Sequence, residues 1–296
     1  MLSNQLLARL QGRWHEFCIA KSITVAYWGH RSNHNAMRDT MNKIIAHTTI
    51  AVGLLGLAQS AFAQDCQVLD QFPAEIDRPG KYCIDQSHDV ELTGNAAAIA
   101  IRADDVDLDL AGHTLRQGAF RSGACNPEFI EEPTIGVLIF ESRNVKVHGG
   151  ALRCFNTGVQ ISQGLCGDCN SGNRVEGMRI HRSFFAGIHA EGRYSVYTDN
   201  HIVDTGLLKG RDGIGIYSSG DGNTVRNNDI QQVRGEQSQG IGTGNSNNSL
   251  IVENRVQNAS IGFLLFNGRN VRFRDNLTAA TSTPYSGFGT DLGNND

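Results

Sequence analysis

A glycine followed by an alternating apolar segment recurs through the second half of the chain and constrains the fold more than any other feature. Seven copies lie between Thr134 and Asp296, separated by 22, 29, 26, 27, 22 and 25 residues. They begin at Gly136, Gly158, Gly187, Gly213, Gly240, Gly262 and Gly287. Repeats of this length predict stacked units, because a single unit is too small to bury its own apolar side.

A second pattern recurs once per unit: an apolar residue, a small or polar residue three positions on, and another apolar residue two further. Four successive copies carry asparagine at the middle position, namely Asn200, Asn228, Asn254 and Asn276. An asparagine at a fixed bend can hydrogen-bond both the backbone there and its own copy in the next unit. The pattern therefore predicts an asparagine ladder.

The units contain short runs that alternate apolar and polar residues, such as Val145-Lys146-Val147 and Ile214-Gly215-Ile216. No unit has an amphipathic stretch long enough for a helix. Short strands of this kind can bury their apolar side only by stacking coil on coil, at about 4.8 Å per coil. The sequence thus predicts a solenoid of strands.

These glycine- and asparagine-punctuated repeats resemble the right-handed β-helix repeats of the pectate-lyase-like superfamily, over about Ala96 to Asp296. The resemblance implies an all-β, right-handed parallel β-helix of about eight coils for residues 96–296. Residues 64–95 are expected to form an N-terminal cap that shields the open end of the stack. The repeat is specific for the fold but says little about chemistry.

The first 63 residues differ from the repeats. Residues 1–40 hold both tryptophans and no strand repeat, which indicates an upstream extension outside the fold. Residues 41–63 have the form of a secretory signal peptide, with Lys43, an apolar run and Ala61-Phe62-Ala63 before the expected mature start at Gln64. An uncleaved anchor is the alternative, although the apolar run is shorter than the ~20 residues that a bilayer requires. A secreted or periplasmic protein is expected, free of the membrane after cleavage.

The net charge of the mature chain indicates which classes of partner it can bind. From Gln64 onward there are 20 Lys plus Arg and 28 Asp plus Glu, a net charge of −8, which disfavours nucleic acids and anionic membranes. Only three of the 20 cations are lysine, and arginine is the residue suited to bidentate binding of carboxylates. The predicted partner is a poly- or oligosaccharide, in particular an acidic one, bound by a monomer. Scattered surface arginines with no ligand are the alternative.

Six cysteines follow Gln64, an even number that favours three disulfides in an exported chain. The expected pairs are Cys66–Cys83 in the cap, Cys125–Cys154 on turns of adjacent coils, and Cys166–Cys169 within one loop. A zinc site built from Cys125, Cys154, Cys166 and Cys169 is the alternative, which an oxidising compartment disfavours.

Three carboxylates alternate with apolar residues in the first coil, at Asp105, Asp107 and Asp109. On a strand they would share one face at about 7 Å spacing. Such an arrangement can help to bind Ca²⁺, which takes oxygen ligands in flexible geometry and is the one cofactor that the sequence suggests. A solvated strand face that prevents aggregation is the alternative.

Aligning the glycines stacks the outward residues of the following strands into two rows. One row contains Leu138, Gln160, His189, Gly215, Gly242 and Leu264, and the other contains Phe140, Ser162, Glu191, Tyr217, Gly244 and Phe266. The glycines predict a recess whose aromatic, acidic and basic borders suit an oligosaccharide. The candidate catalytic residues are His189, Glu191 and Arg193, and the candidate substrate-binding residues are Tyr194, Lys209, Arg211, Asp212 and Tyr217.

His189 and Glu191 lie two residues apart on one predicted strand face, where either can act as a general acid or base. In a uronate lyase, a base removes the C5 proton while arginine or a metal neutralises the carboxylate. A hydrolase needs two carboxylates about 5 to 9.5 Å apart, whereas the alignment offsets Glu191 and Asp212 by five residues, roughly 16 Å. The sequence thus predicts an exported β-helix protein that engages an acidic polysaccharide and, if catalytic, acts as a lyase or epimerase.

Family motifs leave a second class of function open. Asp212-Gly213-Ile214-Gly215 is similar to the Asp-Gly-Ile-Asp strand of polygalacturonases, but Gly215 replaces the second aspartate. The Asp-Pro-His-Asp motif of alginate C5-epimerases is absent from the sequence. The alternative is a non-catalytic cell-envelope or surface β-helix protein with a binding or structural role, in which His189 and Glu191 are ordinary surface residues.

Overall fold

The computed structural model describes residues 66–118, 125, 133–164, 169–208 and 210–296. Within these residues the chain forms strands and no helix. The strands are β1 (Gln67–Val68), β2 (Ala74–Ile76), β3 (Gly80–Cys83), β4 (His88–Val90), β5 (Ala97–Ile101), β6 (Val106–Asp109), β7 (Thr114–Gln117), β8 (Ile135–Phe140), β9 (Lys146–His148), β10 (Ala151–Arg153), β11 (Thr157–Ser162), β12 (Arg174–Glu176), β13 (Arg179–His181), β14 (Ala186–Glu191), β15 (Val196–Thr198), β16 (His201–Thr205), β17 (Ile214–Ser219), β18 (Thr224–Arg226), β19 (Asp229–Val233), β20 (Gln239–Gly244), β21 (Leu250–Val252), β22 (Arg255–Gln257), β23 (Ile261–Phe266), β24 (Arg272–Arg274), β25 (Leu277–Ala279), β26 (Thr283–Gly287) and β27 (Thr290–Asp291).

Successive strands enter three different sheets in turn. Sheet 1 has the order β1-β3-β6-β9-β12-β15-β18-β21-β24-β27, sheet 2 the order β4-β7-β10-β13-β16-β19-β22-β25, and sheet 3 the order β2-β5-β8-β11-β14-β17-β20-β23-β26. Neighbouring strands pair in parallel, as in β14 with β17 and β17 with β20. From β3 to β26 the chain completes eight coils of three strands each, which confirms the predicted parallel β-helix of about eight coils.

The interior is a continuous column of apolar side chains. In sheet 3 the in-register residues Val159, Ile188, Ile216 and Ile241 all have 0% exposure. Alternate residues of each strand point into this column because side chains on a strand alternate between its two faces. The coils are therefore held in register by burial of their apolar face.

The recurring glycine is required where the chain enters sheet 3. A Cβ at Gly187 would lie 2.6 Å from the carbonyl oxygen of Gly215 in the next coil and 2.6 Å from Cγ2 of Ile202. The equivalent positions, Gly136, Gly158, Gly215, Gly240 and Gly262, meet a similar pair of obstacles. A side chain larger than hydrogen cannot fit at these positions. The glycine therefore recurs because neighbouring coils are closely stacked there.

The predicted alignment was wrong by two residues in one coil. Gly187 aligns with Gly215 and not with Gly213, since Ile188 pairs with Ile216. Both Gly213-Ile214 and Gly215-Ile216 fit the repeat, and a shift of two preserves which side chains point inward, so the pattern could not separate them. The prediction that Gly287 occupies the repeat position in the last coil was also wrong. Phe263 pairs with Tyr285, so Pro284 lies at the position of the repeated glycine.

The asparagine ladder is confirmed. The Oδ1 atom of Asn228 accepts hydrogen bonds from the backbone N (3.1 Å) and Nδ2 (2.9 Å) of Asn200. The Nδ2 atom of Asn228 donates to Oδ1 of Asn254 at 2.9 Å, and Asn254 repeats the pattern with Asn276. The ladder continues to Asn295, which is outside the predicted pattern: its Oδ1 accepts from the backbone N and Nδ2 of Asn276, both at 3.1 Å, and its Nδ2 donates to the carbonyl of Phe273 at 3.5 Å. Because all but the last of these residues are buried, the ladder supplies partners to backbone groups that water cannot reach.

Two of the predicted disulfides are present, Cys66–Cys83 and Cys125–Cys154. The second pair removes two of the four thiolates required by the alternative zinc site. Cys166 lies outside the described residues, so the pair with Cys169 stays a prediction. The upstream extension (1–40), the signal peptide (41–63) and the start of the mature chain also lie outside them. Among the residues that the structure covers, no helix is long and apolar enough to cross a membrane.

Candidate functional site

A groove of about 440 Å³ lies on the outer face of sheet 3, across β8, β11 and β14. Its floor is formed by the outward residues of these three strands, and its rim by the bends and loops that flank them. The lining residues are Asn95, Pro133, Ile135, Leu138, Phe140, Asn156, Thr157, Gln160, Ser162, Phe185, His189 and Arg211. The groove thus combines apolar and aromatic surface with amide, hydroxyl and guanidinium groups.

Aromatic rings form one end of the groove. His189 and Tyr217 are direct neighbours in register, and their rings stack with centroids 5.0 Å apart and planes 15° from parallel. Phe185 lies on the other side of His189, with ring centroids 6.1 Å apart. Packing from both sides restricts the rotation of the His189 ring, so its nitrogen atoms have a defined position at the edge of the groove.

The predicted glycine recess is filled by the ring of Tyr217. The corrected register moves Tyr217 into the row of His189, beside Gly242. The Tyr217 ring then lies across the next coil, where a Cβ at Gly242 would be 3.4 Å from Tyr217 Cδ2 and a Cβ at Gly244 would collide with Tyr217 Oη. Gly242 and Gly244 therefore seat this ring, and the open groove lies on the opposite side of His189.

Burial is the main influence on His189. It lowers the pKa of the imidazole from its ordinary value of 6.5, while the charge of Glu191 acts in the opposite direction. His189 is therefore neutral at neutral pH and stays neutral somewhat below pH 6.5. Since the unfolded chain binds this proton more readily, protonation of His189 opposes folding as the pH falls through this range. A neutral imidazole at a groove can accept a proton, as a general base must.

The other predicted site residues divide into two groups. Arg211 lines the groove, and Glu191 lies one outward position beyond His189 on β14. Asp212 does not face the groove: its Oδ1 accepts a hydrogen bond from the backbone N of Gln237 at 2.8 Å and supports that turn. The corrected register places Ser219 opposite Glu191, which leaves Asp212 seven residues away along the chain, further than the sequence alignment indicated.

Arg193 and Tyr194 occupy the bend that leads from sheet 3 to sheet 1 and do not line the groove. Tyr194 has a left-handed backbone (φ 53°) and an exposed ring that lies against the Gly222 turn of the next coil. Lys209 lies outside the described residues. The structure therefore brings together His189, Glu191, Tyr217 and Arg211 from the predicted set, and separates Arg193, Tyr194 and Asp212 from them.

The predicted Ca²⁺ ligands do not converge. Asp107 Oδ1 is 2.9 Å from His148 Nε2, and Asp109 Oδ1 is 3.6 Å from His148 Nδ1. Asp105 is a left-handed turn residue (φ 57°) that precedes β6, and its Oδ1 accepts from Asn144 Nδ2 at 2.6 Å. In the part of the chain that the structure describes, no group of three or more His, Cys, Asp and Glu side chains is arranged to hold a metal ion.

Several lining residues were not predicted. Gln160 and Ser162 lie in the aligned rows, but the glycines that predict the recess, Gly215, Gly242 and Gly244, belong to later coils than the groove. Asn156 and Phe185 occupy the bends before β11 and β14, where the alternating pattern that defines the rows does not extend. Phe185 could have been found from its position directly before β14, since its ring lies on the same face of the sheet as His189.

Comparison with known proteins supports the fold. The family model described as "Right handed beta helix region" matches residues 163–295, which agrees with the predicted resemblance and with the parallel coils. No curated protein matches the chain.

Three solved structures are similar to parts of this chain at low identity. They are an alginate lyase from Paenibacillus sp. str. FPU-7 (15% identity, 69% of this chain and 91% of that chain, TM-score 0.34), the enzymatically active domain of bacteriophage CBA120 tailspike protein 2 (11%, 74% and 38%, 0.36), and the catalytic domain of a GH87 alpha-1,3-glucanase (11%, 74% and 64%, 0.24). The chain therefore spans most of the first structure but well under half of the tailspike domain.

Proposed function

We propose that this chain, a right-handed parallel β-helix over the residues that match that family, binds an acidic oligosaccharide in the groove on the outer face of sheet 3. The observation that carries the proposal is the composition of the groove. Aromatic rings, amides, hydroxyls and one arginine meet in a single concave surface that the coils hold rigidly.

The groove matches the two kinds of surface that a sugar presents. Phe140 and Phe185 offer apolar surface for the ring faces, and Gln160, Ser162 and Asn156 offer donors and acceptors for the hydroxyl groups. Its volume of about 440 Å³ lies within the range of roughly 300–1,000 Å³ typical of ligand sites. Because the side chains stand on successive strands, the contacts repeat along the stack, as the units of an oligosaccharide do.

Arg211 supplies the preference for an acidic sugar. It lines the groove, its side chain is exposed, and it has no ion pair within the described residues. A guanidinium without a protein carboxylate can form two parallel hydrogen bonds with the carboxylate of a uronate. Elsewhere the acidic surface of residues 64–296 disfavours anionic ligands, so Arg211 is expected to set the position of the carboxylate.

Arg211→Gln should weaken the binding of an oligouronate about tenfold, the equivalent of about 1.4 kcal/mol, because one charge-assisted contact is lost. Binding of a neutral oligosaccharide of the same length should be unchanged. Isothermal titration calorimetry measures both affinities. The matched control is Arg269→Gln, an exposed arginine on the turn after β23. An equal loss for charged and neutral sugars, or an equal loss in the control, would contradict the role of Arg211.

A second candidate function is elimination at the same site, and the state of His189 favours it. A neutral imidazole at the groove can remove the C5 proton of a uronate while Arg211 offsets the negative charge that develops on the carboxylate. The C4–O4 bond then breaks, the leaving sugar oxygen takes a proton from solvent, and a C4=C5 double bond remains. In this candidate mechanism the arginine that neutralises the carboxylate is Arg211, and Arg193, the arginine among the predicted catalytic residues, has no part.

If elimination occurs, its rate should hold steady as the pH falls through 6.5 and decline only below the lowered pKa of His189, because the base must be neutral. Glu191→Gln should move the decline to lower pH still, because the charge of Glu191 raises the pKa of His189. The rate is measured from the ultraviolet absorbance of the unsaturated product, with the exposed Glu253→Gln as control. A decline that begins above pH 6.5 rules out His189 as the base.

The same groove can serve a non-catalytic binding protein. That function predicts sugar binding with no unsaturated product at any pH, so the two candidates are distinguished by the absorbance measurement on the wild-type protein. The disulfides Cys66–Cys83 and Cys125–Cys154 support a site of action outside the cytoplasm, either secreted or periplasmic, since such bonds persist in oxidising compartments.

A further inference from the structure

The outer face of sheet 2 carries a column of basic side chains at a distance from the sheet 3 groove. Arg116, Arg153 and His181 are successive in-register neighbours on β7, β10 and β13. The adjacent column places Arg179 directly beside His201. Like charges on neighbouring strands, at about 4.8 Å per coil, repel one another, so this arrangement needs a counter-charge.

A recess of about 390 Å³ lies at the N-terminal end of this column. It is lined by Ser87, Asp89, Thr114, Arg116 and Arg153. Two hydroxyl groups and two guanidinium groups thus face one small volume, and Asp89 is its only carboxylate among the residues that line it. Small oxyanions are bound by this set of donors.

The one carboxylate of the recess is already paired. Arg116 Nε donates to Asp89 Oδ1 at 2.7 Å, and Arg116 Nη2 donates to Asp89 Oδ2. This bidentate pair uses both oxygen atoms, and Arg153 has no ion pair within the described residues. The Nε atom of Arg153 is buried and lacks a hydrogen-bond partner there. A buried donor of a charged group without an acceptor is unfavourable and marks a position that a ligand can fill.

The surroundings of His181 show that the positive charge is not neutralised by the protein. Its pKa is lowered first by burial and then by the charges of His201, Arg153 and Arg179. Two acidic groups further along sheet 2 are engaged elsewhere: Asp229 Oδ2 lies 3.2 Å from His201 Nδ1, and Asp204 pairs with Arg182 and Arg234. The pKa of His181 is therefore sensitive to any charge that is added to or removed from this face.

We propose that the sheet 2 recess binds an oxyanion group of the sulfate or phosphate class, held by the Arg153 guanidinium and the hydroxyls of Ser87 and Thr114. Arg153 satisfies its unpaired Nε by donating to the ligand, and a second nitrogen of the same planar fork can donate in parallel. Arg116 contributes charge while it remains paired with Asp89. The site is separate from the sheet 3 groove and does not depend on the function proposed for that groove.

Sulfate is the probe of choice, because its charge does not change over the range in which histidine titrates. Binding is measured by calorimetry against chloride at equal ionic strength, and the His181 ring is followed by NMR, with His181→Gln to assign its signals. Saturating sulfate should raise the pKa of His181, and by reciprocity sulfate should bind more tightly at about pH 5.5 than at about pH 7.5. Parallel titrations with phosphate and acetate identify the preferred oxyanion.

Arg153→Gln should weaken sulfate binding at least about tenfold and remove the sulfate-dependent shift of the His181 pKa. The control is Arg255→Gln, an exposed arginine of the same sheet four coils further along the stack. A His181 pKa that sulfate leaves unchanged in the wild-type protein would overturn the proposal even if the variant failed to fold. Equal sulfate affinity in the Arg153 and Arg255 variants would overturn it as well.

Discussion

Gly215→Ala should lower the free energy of unfolding by about 3 kcal/mol, because the new methyl group has no space between two coils. Its Cβ would lie 2.5 Å from the carbonyl oxygen of Gly240 and 2.6 Å from Cγ2 of Ile230. The first obstacle is backbone, so one coil must move away from the next. Such a shift would also disturb Tyr217, which is two residues further along β17 and stacks on His189.

Urea denaturation followed by circular dichroism measures this effect, and Gly177→Ala is the control. Gly177 is exposed and has φ +61°, so alanine there incurs the left-handed backbone cost of about 1–2 kcal/mol, but its Cβ meets nothing within 4 Å. Because the methyl group collides with backbone only at Gly215, the loss of stability should be larger there despite its ordinary backbone. If Gly215→Ala is tolerated as well as Gly177→Ala, close coil stacking is not the reason for the glycine repeat.

Asn228→Ala is the second substitution with a large expected effect, a loss of about 2–4 kcal/mol. The side chain accepts from the backbone N of Asn200 at 3.1 Å and donates to the carbonyl of Tyr197 at 2.9 Å and to Oδ1 of Asn254 at 2.9 Å. Alanine leaves the buried backbone N of Asn200 without this acceptor and removes the Nδ2 donor to the Tyr197 carbonyl, while Oδ1 of Asn254 keeps only the backbone N of residue 228, at 3.0 Å. Because the ladder is continuous, the coils on both sides should exchange their amide hydrogens faster.

The exposed Asn248→Ala provides the matched comparison. Asn248 also lies at a bend between coils, but its Oδ1 accepts a single hydrogen bond, from Nδ2 of Asn270 at 3.2 Å. Since water can replace that partner, we expect a loss within about 1 kcal/mol, most of it from the left-handed backbone of Asn248 (φ 56°). Equal losses at the two positions would show that burial of the ladder contributes little to stability.

The architecture was predictable because the features that specify it repeat. The glycine column, the asparagine ladder from Asn200 to Asn276 and the two described disulfides follow from patterns that recur or pair within the chain. A second ladder at the other end of sheet 1 was missed, although Asn173, Ser195, Asn223 and Ser249 hydrogen-bond in the same way. Its members alternate between asparagine and serine, so no single residue type marks the bend.

The candidate site was predicted less well because it depends on register and on side-chain direction. A two-residue shift at Gly213 kept every inward residue inward but moved Tyr217 from beside Glu191 to beside His189. A pattern of glycines also cannot show that Tyr217 lies over Gly242 and Gly244 and closes the recess. His189 and Arg211 line the observed groove and also border the predicted recess, so the register shift does not remove them from the candidate site.

The central claim, that a sugar lies on sheet 3 at the groove, is tested most directly by comparing two phenylalanines in one outward row. Phe140 lines the groove, whereas Phe266 is the equivalent residue five coils along and is 63% exposed. Calorimetry with an oligouronate should show Phe140→Ala weakening binding about fivefold, near 1 kcal/mol, and Phe266→Ala leaving it unchanged. Unchanged binding in Phe140→Ala, or a matching loss in Phe266→Ala, would contradict the claim.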